Sequence, residues 1–255
     1  MANTINWGQG AVNNTNGWGK SATNNTIDFG EVCADSWSPE TNLVGGTSFS
    51  NTQSIELDGV DDYVDFDKTI AGTTFSISGW FKVANTTDLQ PIISTRENQV
   101  SSSRGIDVFV KSNILEFRVY YLGTTSVTTA FTDTGWNHFM YVYNSTTLKA
   151  YLNGSSIGTA VGSYGVGTQT LKSGKFVPNN VLGEMNIDEV ALWSSDESSN
   201  IGSIYSASGA VDLSSLSPLN WWRFEGTGTT ATDSGSEGSN GTLINGATRS
   251  TDIPT

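Results

Sequence analysis

A single cysteine, Cys33, stands in the chain, so no intramolecular disulfide can form and the framework that staples small secreted domains is absent. The expectation is folding in a reducing cytoplasm. Histidine is as scarce: His138 is the one copy. A Ser-His-Asp triad would have to use it, and neither a Gly-x-Ser-x-Gly elbow nor a Gly-x-x-x-x-Gly-Lys phosphate loop accompanies it. In a strand-like run beside Trp136, His138 reads as a packed or hydrogen-bonded residue rather than a general base. Charge is sparse at 15% and one-sided, with 12 Lys and Arg against 25 Asp and Glu, a net of −13 and a pI near 4.3. No basic cluster interrupts that field, which opposes approach to nucleic-acid phosphates and anionic membrane surfaces, so neither is expected as a partner. A saline medium suits such a surface, since screening shortens from ~8 Å in physiological salt to ~3 Å at 1 M. No run approaches the roughly 18 apolar residues of a membrane span, and the opening MANTINWGQG lacks the basic and apolar regions of a signal peptide, so neither membrane insertion nor Sec export is expected.

What is present is the vocabulary of strands and turns. Apolar residues are 36% of the 255, and Gly, Ser, Thr and Asn fill the remainder. From Ser48 onward apolar residues recur with period 2: Phe75, Ile77, Phe81 and Val83, with Trp80 on the opposite face; then Ile106, Val108 and Val110; Leu115, Phe117, Val119 and Tyr121; Phe139, Tyr141 and Tyr143; Leu148, Ala150 and Leu152. This predicts an all-β fold, a two-sheet antiparallel jelly-roll sandwich. The stretch SIELDGVDDYVDF, Ser54 to Phe66, reads as a β-hairpin, with Ile55 and Leu57 on one arm, Val64 and Phe66 on the other, and Asp58-Gly59 at the turn. Asp196 to Ser206 is the one stretch at helical spacing.

The amino-terminal end has its own pattern. Trp7-Gly8, Trp18-Gly19 and Phe29-Gly30 recur every 11 residues. Such an arm has too little apolar mass to fold alone, and its rings would dock on the parent domain as extra strands, or anchor and oligomerise the chain, or stack on sugars. The expected division is therefore an arm at 1–46, a sandwich at 47–216 and a carboxyl-terminal segment at 217–255.

Four phrases in order, SIELDGVDDYVDF, TFSISGWFKV, GWNHFMYVYN with LKAYLNGSSIG, and MNIDEVALWSSD, resemble the laminin-G-like, concanavalin-A-like jelly-roll domains. The phrase that usually opens such domains resembles Leu219 to Ala247 here, and so comes last. The segment then either closes the same sandwich as a permuted strand or inserts into a neighbouring subunit, which would make a homo-oligomer. The arm, the jelly roll and the tail together resemble structural proteins of tailed-bacteriophage virions, particularly marine ones. That resemblance implies assembly with other virion proteins in the host cytoplasm, residence in the virion, and adhesion to cell-surface glycans. A stand-alone calcium-dependent carbohydrate-binding protein and a polysaccharide-degrading enzyme are the competing readings.

Candidate residues follow from chemistry. Asp58, Asp61 and Asp62 lie in a cluster of hard oxygen ligands suited to calcium, which takes about 6 to 8 of them. Asp233 with Asn240, in a Gly-rich loop, is a second calcium candidate. Trp80, Tyr120 and Tyr164 are the candidate sugar-stacking rings, since strand parity or loop position turns them from the expected core. Trp7, Trp18 and Phe29 are the candidate anchors. A glycosidase pair is best approximated by Glu184 and Asp188, but four residues on a strand separate them by ~13 Å, beyond the roughly 5 to 9.5 Å that hydrolysis uses. Glu189 is expected on the opposite face. The glucanases with this fold carry Glu-x-Asp-x-x-Glu, and Asn186 occupies the position of their Asp. No catalytic residue is therefore assigned.

Overall fold

The computed structural model describes residues 3–6, 25–28, 49–97 and 103–255, in two units, 1–48 and 49–255. In the first, β1 (Asn3–Asn6) pairs in parallel with β2 (Asn25–Asp28). Trp7, Trp18 and Phe29 lie outside the described residues.

In the second unit the period-2 segments pair into two antiparallel eight-stranded sheets. The back sheet runs in the order β12 (Ser155–Val161), β11 (Thr147–Leu152), β10 (Asn137–Asn144), β5 (Thr74–Val83), β16 (Glu184–Trp193), β3 (Ser54–Asp58) and β20 (Thr248–Ser250), with β17 (Asn220–Trp222) also on β16. The front sheet runs β18 (Thr230–Ala231), β19 (Gly241–Ile244), β4 (Tyr63–Asp65), β13 (Lys172–Ser173), β6 (Gln90–Ser94), β7 (Gly105–Lys111), β8 (Ile114–Tyr120) and β9 (Thr124–Ala130). A two-stranded ribbon, β14 (Lys175–Phe176) with β15 (Val181–Leu182), stands beside β6.

The alternating residues meet between the sheets as the pattern predicts. Phe75, Ile77 and Phe81 of β5, Tyr141 of β10, Val108 of β7 and Phe117 of β8 form one buried cluster, each apolar side chain contributing about 1.5–3 kcal/mol by leaving water. Gly79 belongs to that packing, because a Cβ there would lie 3.0 Å from the Phe139 ring and 3.1 Å from Val190. Tyr121, counted with the inward row of β8, instead sits in the turn beyond its end and is exposed.

Two expectations change. Ser54 to Phe66 is not a hairpin: β3 pairs with β16 and β20 in the back sheet, while β4 pairs with β13 and β19 in the front. Asp58-Gly59 begins a crossing between sheets, and a bond from Asp58 N to Asp62 Oδ1 of 2.9 Å shapes it. Ile55, Leu57, Val64 and Phe66 still face the core, since alternation is local and pairing is not. The expected helix shrinks to a 3₁₀ turn at Ser198–Asn200 and one α turn, α1 (Ile201–Ile204), after which Tyr205 is already extended. Gly202 and the flanking serines are weak helix formers and one buried side chain, Ile204, holds the turn. Residues 217–255 belong to the sandwich unit, where β17, β19 and β20 pair with β16, β4 and β3. Trp222 lies 4.5 Å from the Phe66 ring.

The outer face of the back sheet is covered. Met140, Val142, Ala191, Trp193 and Trp221 pack against Ile204 and Leu213 as a second apolar layer. Among the described residues no helix is long and apolar enough to cross a membrane.

Candidate functional site

The front sheet has a different outer face. Its register aligns one residue from every strand into a single transverse row: Thr230, Thr242, Asp65, Lys172, Ser94, Asp107, Arg118 and Ser126. Every member is polar. Locally the reason is parity, since Asp65 lies between Val64 and Phe66, Asp107 between Ile106 and Val108, and Arg118 between Phe117 and Val119, all of them in the core.

At the centre of the row the polar groups are enclosed. Ser94 Oγ donates to Asp107 Oδ1 at 2.6 Å, while Asp107 Oδ2 has no hydrogen-bond partner although the side chain is 0% exposed. Burial pushes the Asp107 carboxyl up to about 7, against the opposing influence of Ser94, Tyr120, Arg96 and Arg118. Arg96 lies over the Tyr120 ring at 4.4 Å and the Phe176 ring at 5.3 Å, and its Nε also lacks a partner. Arg118 stacks on Phe109 at 4.7 Å and grips Glu116 through two bonds of 2.6 and 2.8 Å. Phe109 and Phe176 meet edge to face at 6.2 Å. Farther along the row Lys172 Nζ pairs with Asp65 Oδ2 at 3.0 Å. The result is a band of buried aromatic rings, two guanidinium groups and three carboxylates, running outward to exposed Ser126 and Thr128 on β9.

Asp107, Glu116 and Arg118 were not legible as a site, because a polar residue in an alternating strand reads as solvated surface; Arg96, Phe109 and Phe176 join them only through contacts across the sheet. A signal existed: Asp107 and Arg118 stand at matching positions either side of the Ser112-Asn113 turn, which makes them cross-strand neighbours.

The expected sugar-stacking rings are corrected. Trp80 does face away from the core, but Tyr205 and His138 cover it at 5.6 and 5.2 Å, leaving 6% exposed. Tyr120 is 2% exposed beneath Arg96. Tyr164 is 8% exposed, its hydroxyl donating to Ile70 O at 2.8 Å and its ring against Phe75 and Tyr143. None offers a free face for stacking; Tyr120 contributes as a wall of the enclosed cluster.

The expected calcium ligands serve their own turns. Asp58 Oδ1 accepts from Val60 N at 2.8 Å, Asp62 is buried and pushed up to about 6 chiefly by that burial, and Asp61 is exposed. Asp233 accepts from Asn220 Nδ2, Trp221 N and Gly235 N at 2.7 Å each and from Ser239 N at 2.8 Å, while Asn240 Oδ1 accepts from Asp233 N at 2.9 Å. Among the described residues no three His, Cys, Asp or Glu side chains converge as a metal site requires.

Of the glycosidase-like carboxylates, Glu184 is exposed at the start of β16, while Asp188 and Glu189 are committed. A bulge between Asp188 and Ala191, with Glu189 at φ 49, overturns the expectation that Glu189 faces opposite to Asp188. Asp188 Oδ2 accepts from Asn51 Nδ2 at 2.8 Å, and Glu189 Oε2 accepts from Trp221 Nε1 at 2.6 Å in the outer layer. Burial raises Asp188 well above the ordinary carboxylate range and Glu189 to about 7. His138 is buried and held neutral, its pKa lowered by desolvation to about 3.

Comparison with known proteins fits this architecture. A Bacteroides ovatus protein described as a candidate carbohydrate-binding protein superposes with a TM-score of 0.61 at 18% identity, over 81% of this chain and 62% of its own. The chain thus spans less than two thirds of that relative. The CBM40 of a Ruminococcus gnavus IT-sialidase, solved with α2,3-sialyllactose, gives a TM-score of 0.50 at 14% identity, over 62% of this chain and 100% of its own. At these identities the likeness is one of fold. No curated protein matches the chain in sequence. Residues 58–199, more than half of the chain, match the family described as the concanavalin A-like lectin/glucanases superfamily, and the chain belongs to that family.

Proposed function

We propose that the chain is a non-catalytic carbohydrate-binding module whose front sheet receives the glycan. The supporting observation is the polar row itself, where Arg118 with Glu116 and Lys172 with Asp65 present partly exposed side chains on either side of the enclosed Asp107. A sugar needs an acceptor for its hydroxyl hydrogens and a donor for its hydroxyl oxygens, and the carboxylates and cations of the row supply both. The charge of Arg118 is balanced by Glu116. With a net charge of −13 over the chain, that balance favours a neutral glycan over an acidic one. The non-catalytic reading rests on Asn186 standing where the glucanase phrase has its Asp and on Asp188 and Glu189 being held by Asn51, Trp221 and Arg223.

A glycan array followed by calorimetry tests this. Saturable binding of neutral glycans, weakened at least tenfold in Arg118→Ala, supports the proposal; a blank array, or binding indifferent to Arg118, overturns it. Release of new reducing ends from a polysaccharide panel would restore the enzyme reading. A chelator arm decides the calcium expectation, since lost retention makes the module calcium-dependent and unchanged retention makes it independent. Within the same proposal the module is a surface component of a virion, a reading supported by the resemblance of arm, jelly roll and tail. Co-purification with particles in fixed stoichiometry supports it, and free protein throughout infection refutes it.

A further inference from the structure

Sheet edges expose unpaired backbone groups, and folded proteins ordinarily blunt them with charge, proline, bulges or brevity. Most edges here follow that rule. β17 and β20 have three residues and β18 has two. β12 is irregular, with Gly158 at φ 149 and a register shift opposite Ala150 and Tyr151. β9 departs from the rule. It is seven residues, TTSVTTA, paired in unbroken register with β8 and carrying no charge, proline or bulge.

Among the described residues no strand pairs with its outer side, and the direction of its outward groups follows from one bond. Phe131 N donates to Asn113 O at 2.8 Å, one position beyond the Ala130–Ile114 pair. Antiparallel ladders alternate, so Thr129, Val127 and Thr125 also direct their backbone groups to β8, while Thr124, Ser126, Thr128 and Ala130 direct theirs outward. These four are the exposed residues of the strand.

We propose that β9 pairs antiparallel with β9 of a second copy of this chain. The strand is self-complementary about Val127: a two-fold axis there sets Thr124 against Ala130 and Ser126 against Thr128, so that outward-directed groups face one another in hydrogen-bonded pairs. Side chains agree with that register, because every opposed pair is small and neutral and Thr pairs favourably with Thr or Ser across strands. Electrostatics agree too. β12, which runs beside β9, has the sequence SSIGTAV, and its Val161 is 80% exposed. In a chain of net charge −13 the two adjacent edges thus form an uncharged side on which like copies meet without opposing carboxylates. The product is one continuous front sheet carrying two copies of the polar row, which would add avidity for a repeating ligand. The pairing itself is independent of the glycan reading.

Sedimentation velocity over a concentration series, with hydrogen exchange at high and low concentration, tests the pairing on the full chain. A monomer–dimer equilibrium is expected, with the Ser126 and Thr128 amides protected only at high concentration. Ser126→Pro removes an outward N–H without touching the β8 ladder, so it is expected to yield monomer while leaving the unfolding transition in place. The double variant Ser126→Lys with Thr128→Lys sets Lys against Lys and is expected to do the same without any backbone constraint. The proposal is overturned by a monomer at every concentration, by a dimer that survives the double variant, or by amide protection independent of concentration, which would mean that the chain covers its own edge. Sedimentation and exchange of the unliganded wild-type chain read the pairing whatever the glycan array returns, which separates this result from the fate of the glycan site.

Discussion

Replacing Asp233 by alanine separates a structural loop from a metal loop. The carboxylate receives four donors, Asn220 Nδ2, Trp221 N, Gly235 N and Ser239 N, at 2.7 to 2.8 Å. The bonds from Asn220 and Trp221 are buried, and those from Gly235 and Ser239 are part-buried. A buried donor left without a partner costs about 1–3 kcal/mol, while one that reaches water costs little. Two buried donors and two wetter ones therefore give an expected loss of about 3–5 kcal/mol for Asp233→Ala. Asp233→Asn, which keeps one acceptor oxygen, should lose about half as much. Urea denaturation followed by circular dichroism, with calcium and with chelator, reads both quantities. The reasoning fails if Asp233→Ala costs less than about 1 kcal/mol. It fails in a different way if chelation destabilises the wild type as much as the substitution does, because Asp233 would then be a calcium ligand.

Three further outcomes are expected. Burial raises Asp107 to about 7, so the native state holds a proton that the unfolded chain has released, and stability falls as pH rises between about 4 and 7. Asp107→Asn should shrink the stability difference between pH 5 and pH 8 by about 2–3 kcal/mol relative to wild type; an unchanged difference would refute the burial argument, the contributions of Asp188, Glu189 and His138 being common to both proteins. Gly154→Ala sets a side chain at φ 73 with its Cβ 2.5 Å from the Tyr205 ring, and a thermal melt should show a loss of about 1–3 kcal/mol. Trp222→Ala, which empties a fully buried site against Phe66, should cost about 3–5 kcal/mol in the same measurement, and a loss near zero would mean that the carboxyl-terminal segment does not hold the sandwich closed.

Legibility followed the range of the interaction concerned. Alternation is a property of neighbouring residues, so Ile55, Phe75, Val108, Phe117 and Tyr141 could be assigned to the core from the chain alone, and with them the two-sheet class of fold. The four ordered phrases extended this to the family. Parity also turned Trp80 away from the core, but parity says nothing about what covers an outward face. Tyr205, about 125 residues later in the chain, lies over it. The pairing of β3 and β4 with different sheets was equally hidden, because partners such as β16 and β19 compete with the neighbouring arm through contacts distant in sequence.

The candidate site shows the same division. That Asp65, Lys172, Ser94, Asp107, Arg118 and Ser126 point outward was settled by their apolar neighbours in each strand. That they stand in one line, and that Arg96 and Phe176 close over its centre, was settled only when eight strands from residues 63 to 244 came into register. A strand's own sequence sets the face each residue takes, while the neighbour it meets on that face depends on long-range pairing and on loops that pack across the sheet, which is tertiary structure alone.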